Sequence, residues 1–233
     1  YKKPMESLRD SLSDLKYEQL EEKTYINDFT FQIADHQIHL SHHRVIDYGT
    51  AIDWTDSTAF IILGTIGADL LEGNVIALDF PNNTCSLYPH LPEGIQQIAK
   101  MEPFDFRGRR ILLPGKVNGK KNTFMYDSGS STFELITSEQ LFHQYAIPGA
   151  AVDTFKINTW GTKINGYQTL STLQMEFAQT GIKAERTTYL DWPNKVQALL
   201  MRFSGMGGMI GNKIFVNHTL VLDGTNSTFG LMD

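Results

Sequence analysis

The residues best suited to chemistry lie together in one short segment, Asp127-Ser128-Gly129-Ser130-Ser131. An apolar stretch, Thr-Phe-Met-Tyr, precedes the aspartate, and this pattern predicts a strand that ends at Asp127. Gly129 allows the backbone to approach the carboxylate closely, because glycine has no Cβ. The hydroxyls of Ser128 and Ser130 can donate hydrogen bonds to the carboxylate or to a facing loop.

Two loops of this kind, facing each other, would bring two carboxylates so close that both cannot be ionised, and the pair would share one proton. A water between them could then lose a proton to one aspartate while the protonated aspartate polarises a carbonyl group. This chemistry hydrolyses an amide without a nucleophilic side chain or a metal ion. It needs two aspartates, whereas the pattern D-S-G-S-S occurs once in these 233 residues.

Local signals predict the elements around this segment. Residues 109–127 predict a strand, a tight Asn118-Gly119 turn and a second strand, because both turn residues tolerate positive φ. Residues 137–147 predict a short helix that is capped by Thr or Ser and has an acidic first turn. Residues 75–88 and 219–232 each predict a strand, an Asn-rich turn and a strand. The chain is therefore predicted to be mainly β, with few and short helices.

The sequence also contains two copies of one unit. Residues 64–88 align with residues 208–232 without a gap, and eight of the 25 aligned pairs are identical. The identical pairs are Gly64/Gly208, Ile66/Ile210, Gly67/Gly211, Leu78/Leu222, Asp79/Asp223, Asn82/Asn226, Thr84/Thr228 and Leu87/Leu231. This repetition predicts two related lobes, residues 1–90 and 104–233, joined by a Pro-bounded linker at residues 91–103.

With these marks the chain resembles the pepsin-like, or bilobal retropepsin-like, aspartic peptidases. That family carries D-[ST]-G-[ST]-[ST] after an apolar strand and, later in the same lobe, two apolar residues followed by glycine. The second lobe has both marks, at residues 127–131 and at residues 209–211, which end in Gly211. The first lobe keeps the second mark in a degraded form at residues 65–67, which end in Gly67. The resemblance covers nearly the whole chain.

The resemblance implies two similar lobes of the pepsin-like double-ψ β-barrel type, with the first lobe truncated at its N-terminus. It implies that Asp127 is a catalytic aspartate, that Ser130 hydrogen-bonds its carboxylate and that Ser128 grips the opposite loop. The hairpin with Trp160 and Gly161 near its tip corresponds to the family's flap. The substrate would be a polypeptide extended in the cleft between the lobes. The family uses no cofactor, and the resemblance favours a secreted or periplasmic protein.

One candidate for the second aspartate lies within the sequence. Asp47 stands in Asp-Tyr-Gly-Thr-Ala, which fits the looser pattern D-x-G-[ST]-A. Spacing argues against Asp47, because the interval from Asp127 to Gly211 is several times longer than the interval from Asp47 to Gly67. Tyr48 also replaces the hydroxyl residue that follows the aspartate in the family.

Matching the predicted helices gives the other candidate position. If residues 4–12 are the counterpart of residues 138–146, the position equivalent to Asp127 lies just upstream of Tyr1. We therefore expect the catalytic loop of the first lobe to precede Tyr1. An apolar run ending in D-[ST]-G is expected there.

Composition narrows the possible partners. The net charge of −6 and the pI of about 5.6 do not support binding to nucleic acid. No apolar run approaches the roughly 18 residues that a membrane-spanning helix needs. Strand alternation would place His36, His39, His42 and His43 on different faces, so no metal site is predicted. We expect a monomeric two-lobe peptidase, and the alternative is a catalytically inactive homologue that binds peptide or glycan in the same cleft.

Overall fold

A computed structural model describes residues 1–8, 16–33, 35–159, 162–192 and 206–233. The chain divides into two compact units, unit 1 from Tyr1 to Gly67 and unit 2 from Ala68 to Asp233. Strands are the main element of both units, which confirms the prediction of a mainly β chain. Within the described ranges, every helix is too short or too polar to cross a membrane.

The described residues of unit 1 form one helix and one antiparallel sheet. The helix is α1 (Lys2–Leu8), and the strands are β1 (Lys16–Leu20), β2 (Lys23–Ile33) and β3 (His36–Val45). The central strand of the sheet is β2. Met5, Ile26 and Val45 form a small buried cluster between the helix and the sheet strands. Residues 46–67 follow β3 and form neither helix nor strand.

Unit 2 is built mainly from short and medium-length strands. Its helices are α2 (Glu93–Ile98) and α3 (Glu139–Tyr145), and single 3₁₀ turns span Ala68–Leu71, Ser128–Ser130 and Asn212–Phe215. Its strands are β4 (Val75–Asp79), β5 (Thr84–Tyr88), β6 (Glu102–Pro103), β7 (Asp105–Arg107), β8 (Arg110–Val117), β9 (Lys120–Tyr126), β10 (Ile136–Thr137), β11 (Val152–Thr159), β12 (Thr162–Phe177), β13 (Thr180–Leu190), β14 (Gly208–Ile210), β15 (Thr219–Asp223) and β16 (Thr228–Met232).

Six strands of unit 2 close into a barrel. The pairings run from β12 through β13, β10, β14, β9 and β8, and β8 pairs with β12 again. The β8–β12 pairing joins the two ends of this series of strands, and their inward-facing side chains form one core. Phe124, Phe177 and Phe215 are fully buried there, and their rings meet edge to face. The strand that precedes Asp127, β9, is one of these barrel strands, so the backbone that leads into Asp127 is rigidly held.

Two further strands extend the barrel sheet, because β11 pairs with β12 and β7 pairs with β8. The other five strands of unit 2 form a second sheet, in the order β5-β4-β15-β16-β6. The hairpin β4–β5, which the sequence assigns to the first lobe, pairs through β4 with β15 along its whole length. Residues 91–103, predicted to be a linker, contain α2 and β6, and β6 pairs with β16. The compact unit therefore begins at Ala68, and the two-lobe division at residues 90 and 104 stays a prediction.

The locally encoded elements occur where the sequence predicts them. Asn118 and Gly119 have φ values of 48° and 79°, so both turn residues of the β8–β9 hairpin adopt positive φ. The cap of α3 is Ser138, whose side chain accepts a hydrogen bond from the amide of Leu141 at 3.3 Å. These signals depend on neighbours in sequence, and they decide the path of the chain on both sides of residues 127–131.

Candidate active site

Asp127 directly follows β9, and β9 lies between β8 and β14 in the barrel. β14 runs parallel to β9 and pairs Ile210 with Tyr126. The pairing continues one step further, because the amide of Asp127 donates to the carbonyl of Ile210 at 3.0 Å. The backbone of the aspartate is therefore fixed by the strand that carries the apolar-apolar-Gly mark, although the two segments are distant in sequence.

The Asp127 carboxylate is held by its own loop. Residues 128–130 form a single 3₁₀ turn, and Oδ1 of Asp127 accepts a hydrogen bond from the amide of Gly129 at 2.9 Å. Oδ2 faces the hydroxyl of Ser130 at 3.3 Å, and that hydroxyl also faces the sulfur of Met209 at 3.3 Å. Asp127 is partly buried, while Ser128 and Gly129 are exposed. Each carboxylate oxygen keeps lone pairs that a water or a substrate can use.

Gly211 allows the loop to lie directly against β14. A Cβ placed on Gly211 would stand 2.0 Å from the carbonyl oxygen of Ser130 and 2.9 Å from that of Phe133. Its φ of −104° suits any residue, so the requirement for glycine is steric and not conformational. The loop and the following 3₁₀ turn can pack this closely only because residue 211 has no side chain.

A chain of hydrogen bonds ties the loop to the element after Gly211. The Tyr126 hydroxyl donates to Oδ1 of Asn212 at 2.6 Å, and Nδ2 of Asn212 donates to the Ser131 hydroxyl oxygen at 3.0 Å. Ser131 in turn donates to the carbonyl of Ser128 at 2.5 Å. Burial, followed by the charge of the adjacent Asp127, raises the pKa of the Tyr126 hydroxyl, which therefore remains a proton donor.

Sequence reasoning missed the parts played by Tyr126 and Asn212. Each is next to a recognised motif residue, since Tyr126 precedes Asp127 and Asn212 follows Gly211. Their adjacency to the two motifs was the available signal, but nothing local indicates that the two side chains meet across 86 positions of sequence.

An apolar cluster lies beside the loop. Phe133, Ile136, Ile164 and Leu190 form its buried part, and the ring of Phe133 stacks on Phe155 of β11 with centroids 5.8 Å apart. The β11–β12 hairpin is thereby anchored next to the segment that follows the Asp127 loop. Such a surface can exclude water from a reacting group and contact apolar side chains of a ligand.

The proposed roles of Ser128, Trp160 and Gly161 stay predictions. The Ser128 side chain has no hydrogen-bond partner in the described part of the chain, so its grip on a facing loop stays a prediction. Trp160 and Gly161 lie outside the described residues, although the flanking pair Thr159↔Thr162 closes the β11–β12 hairpin.

The first-lobe candidates lie in unit 1. Gly67 is exposed and stands outside any strand. Asp47 is exposed after β3, and Gly49 two residues later has a φ of 87°. Gly129 has no such positive φ, so the Asp47 loop differs in backbone conformation from the Asp127 loop.

No protein-family model matches the sequence, and no curated protein matches it. Among solved structures, the chain is similar to a retropepsin-like aspartic protease from Rickettsia conorii, with 10% identity and a TM-score of 0.32. That similarity covers 58% of this chain and 96% of the other. At this identity and TM-score, the likeness establishes neither a shared family nor a shared activity.

Proposed function

We propose that this protein is an aspartic endopeptidase in which Asp127 is one of two aspartates that activate a water. The observation that carries the proposal is the Asp127 carboxylate, fixed at the end of a barrel strand by Gly129 and Ser130 and still partly exposed. A carboxylate with two defined donors and free lone pairs has the geometry of a general base or acid. The loop that holds it is locked by Gly211 and Asn212.

In the proposed reaction, a second aspartate faces Asp127 and the pair shares one proton. The ionised member takes a proton from the water, and the protonated member hydrogen-bonds the carbonyl oxygen of the scissile peptide. The Ser130 hydroxyl holds the Asp127 carboxylate in one orientation while its protonation changes. The substrate would be an extended polypeptide, and the β11–β12 hairpin would cover it.

The repeat in the sequence supports the expectation of a second, equivalent loop. Strands β4 and β5 align residue for residue with β15 and β16, and at the same offset the β2–β3 turn aligns with the β12–β13 turn. The turns of the two aligned hairpins also contain equivalent hydrogen bonds. The backbone and side-chain amides of Asn82 donate to the Asp79 carboxylate, and those of Asn226 donate to the Asp223 carboxylate. In the β4–β15 ladder, Ala77 pairs with Val221, its repeat equivalent. The pairing of β4 with β15 is therefore symmetric about this residue pair. A two-fold axis that relates two copies of one unit would produce such a pairing.

The same repeat supports a proposal for the position of the second loop. Residues 208–210 form β14 and pair with β9, whereas their equivalents at 64–66 form no strand. Ile210 is 0% exposed, but the equivalent Ile66 is 52% exposed, and Phe60 nearby is 99% exposed. We propose that an apolar strand ending in the second aspartate pairs with residues 64–66. Asp47 remains the alternative within this sequence.

The test is peptidase activity of the protein expressed from its full gene. We expect cleavage of an unfolded polypeptide at acidic to neutral pH, inhibition by a statine-type transition-state mimic, and a loss of roughly 10²–10⁴-fold in kcat for Asp127→Asn. Asp79→Asn is the matched control, because Asp79 also ends a strand and caps a turn, and it should keep wild-type kcat. No cleavage across this pH range, or full activity of Asp127→Asn, would overturn the proposal. Peptide binding without cleavage would favour an inactive homologue instead.

A further inference from the structure

Glu134 is a buried carboxylate that the proposed reaction does not use. It follows Ser130 closely in sequence, and only 8% of it is exposed. Its Oε2 accepts two backbone hydrogen bonds from β13, from the amide of Glu185 at 2.6 Å and from the amide of Arg186 at 2.9 Å. Arg186 directs its guanidinium group elsewhere, to Asp153 and Gln168. Glu134 therefore acts as an acceptor for main-chain groups and not as the partner of a cation.

The two amides are available to Glu134 because the β12–β13 ladder is interrupted beside them. Leu170 pairs with Arg186 and Leu173 pairs with Ala184, so two residues of β12 stand opposite one residue of β13. On the β12 side of this bulge, the carbonyl of Leu170 accepts from the amide of Ile147, and the Ser171 hydroxyl donates to the carbonyl of Ala184. The Glu134 side chain supplies an acceptor where the neighbouring strand supplies none.

Glu134 also extends the contact between β10 and β13 towards the catalytic loop. Thr188 donates its amide to the carbonyl of Leu135 at 2.8 Å, and the parallel pairing begins one residue later, at Ile136. On the other side, the amide of Phe133 donates to the carbonyl of Ser130 at 3.0 Å. The segment from Ser130 to Glu134 is thus held against β14 at one end and against β13 at the other.

We propose that Glu134 is a positioning residue for the Asp127 loop: by binding two amides at the β13 bulge, its carboxylate fixes the segment that carries Ser130. The kinetic part of this inference rests on the proposed peptidase function. Its structural part concerns the loop itself, and can be measured without any activity.

The kinetic test uses three variants of the full-length protein. Glu134→Leu removes the acceptor at similar size, and we expect kcat to fall about 10²-fold with KM within about twofold, as for a misplaced catalytic group. Glu134→Gln keeps an oxygen where Oε2 stands, and Oε1 has no partner in the described ranges, so most of kcat should return. Ser171→Ala is the control, because it removes a buried hydrogen bond on the opposite side of the same bulge. It should leave kcat unchanged.

The activity-independent test is amide hydrogen exchange. Glu134→Leu should accelerate exchange at Glu185 and Arg186, and also at least about tenfold at Gly129, Ser130 and Phe133, whose amides are bonded within the loop. Ser171→Ala should leave these three loop amides protected. If Glu134→Leu changes exchange only at Glu185 and Arg186, Glu134 is a local strand clamp and the inference fails. If the loop amides respond but the wild-type protein cleaves nothing, the inference holds and the peptidase proposal fails.

Discussion

Gly211→Ala is the sharpest test of how the loop is held. The new methyl carbon would stand 2.0 Å from the carbonyl oxygen of Ser130, whereas ordinary contacts at a Cβ lie at 3.4–4 Å. The opposing atoms are backbone atoms, so no side chain can rotate away. The loop that carries Asp127 must therefore move substantially to admit one methyl group.

The expected cost has two parts. Overpacking of this kind typically lowers the free energy of unfolding by about 1–3 kcal/mol, which corresponds to a fall in Tm of about 2–12 °C for a chain of this length. In addition, a catalytic group displaced by about 1 Å loses roughly 10²-fold in rate. Both effects should be measurable, by urea unfolding and by kcat corrected for the folded fraction.

Substitutions at two other glycines distinguish the loss of stability from the loss of kcat. Gly224→Ala creates a comparable clash, because its Cβ would stand 1.9 Å from the carbonyl oxygen of Leu71, which does not belong to the Asp127 loop. It should lower stability and leave kcat unchanged. At Gly181 no atom lies within 4 Å of the position that a Cβ would take, so Gly181→Ala should change neither quantity. If Gly211→Ala keeps both wild-type stability and wild-type kcat, the close packing of loop and strand is not as described.

Three further predictions concern the polar groups of unit 2. Asn212→Ala removes the acceptor of the buried Tyr126 hydroxyl and should lower the free energy of unfolding by about 1–3 kcal/mol. A double-mutant cycle with Tyr126→Phe should give a coupling energy of at least about 0.5 kcal/mol. Additive effects of the two substitutions would exclude this hydrogen bond. The raised pKa of Tyr126 means that, above its usual value of 10.0, the unfolded chain releases a proton that the folded chain keeps. The slope that this group adds to the fall in stability should rise through pH 10 towards a limit of about 1.4 kcal/mol per pH unit. Urea midpoints between about pH 9 and 11 should therefore fall less steeply in Tyr126→Phe, and equal slopes would contradict the burial of this hydroxyl. Asp223 is fully buried and accepts hydrogen bonds from Thr225 and Asn226. Asp223→Ala should therefore lower the free energy of unfolding by about 1.5–3 kcal/mol, which is more than Asp79→Ala should lower it. The reverse order of the two variants in thermal unfolding would refute this account of the two turns.

Signals between near neighbours in sequence predicted much of the local structure. The Asn118-Gly119 turn, the Ser138 cap and the two Asn-rich hairpins all appear as expected. Each depends on the conformational preference of one or two residues or on a side chain that reaches its own backbone, and such effects are encoded within a few positions. The strand β9, which ends at Tyr126 just before Asp127, is predictable for the same reason, because an apolar run leads directly up to the aspartate.

Contacts between distant segments were not predictable in this way. The β8–β12 pairing that closes the barrel and the β4–β15 pairing that joins the hairpins depend on how whole sheets meet. Glu134 shows the same limit at a single residue. In sequence, the glutamate that follows the Asp127 loop resembles any surface glutamate, and only the bulge between β12 and β13, much later in the chain, explains its burial.

The two glycines of the motifs constrain the loop from different sides. A Cβ on Gly211 would collide with backbone inside unit 2, so this glycine is required by contacts that the unit itself contains. A Cβ on Gly129 would meet only the carboxylate of its own neighbour, with Asp127 Oδ1 at 3.1 Å, and the residue is otherwise exposed. Unit 2 alone therefore gives a weak reason for glycine at 129. A facing loop, packed against the exposed side of residues 128 and 129, would give a strong one, and it would also give the Ser128 hydroxyl the partner it lacks among the described residues.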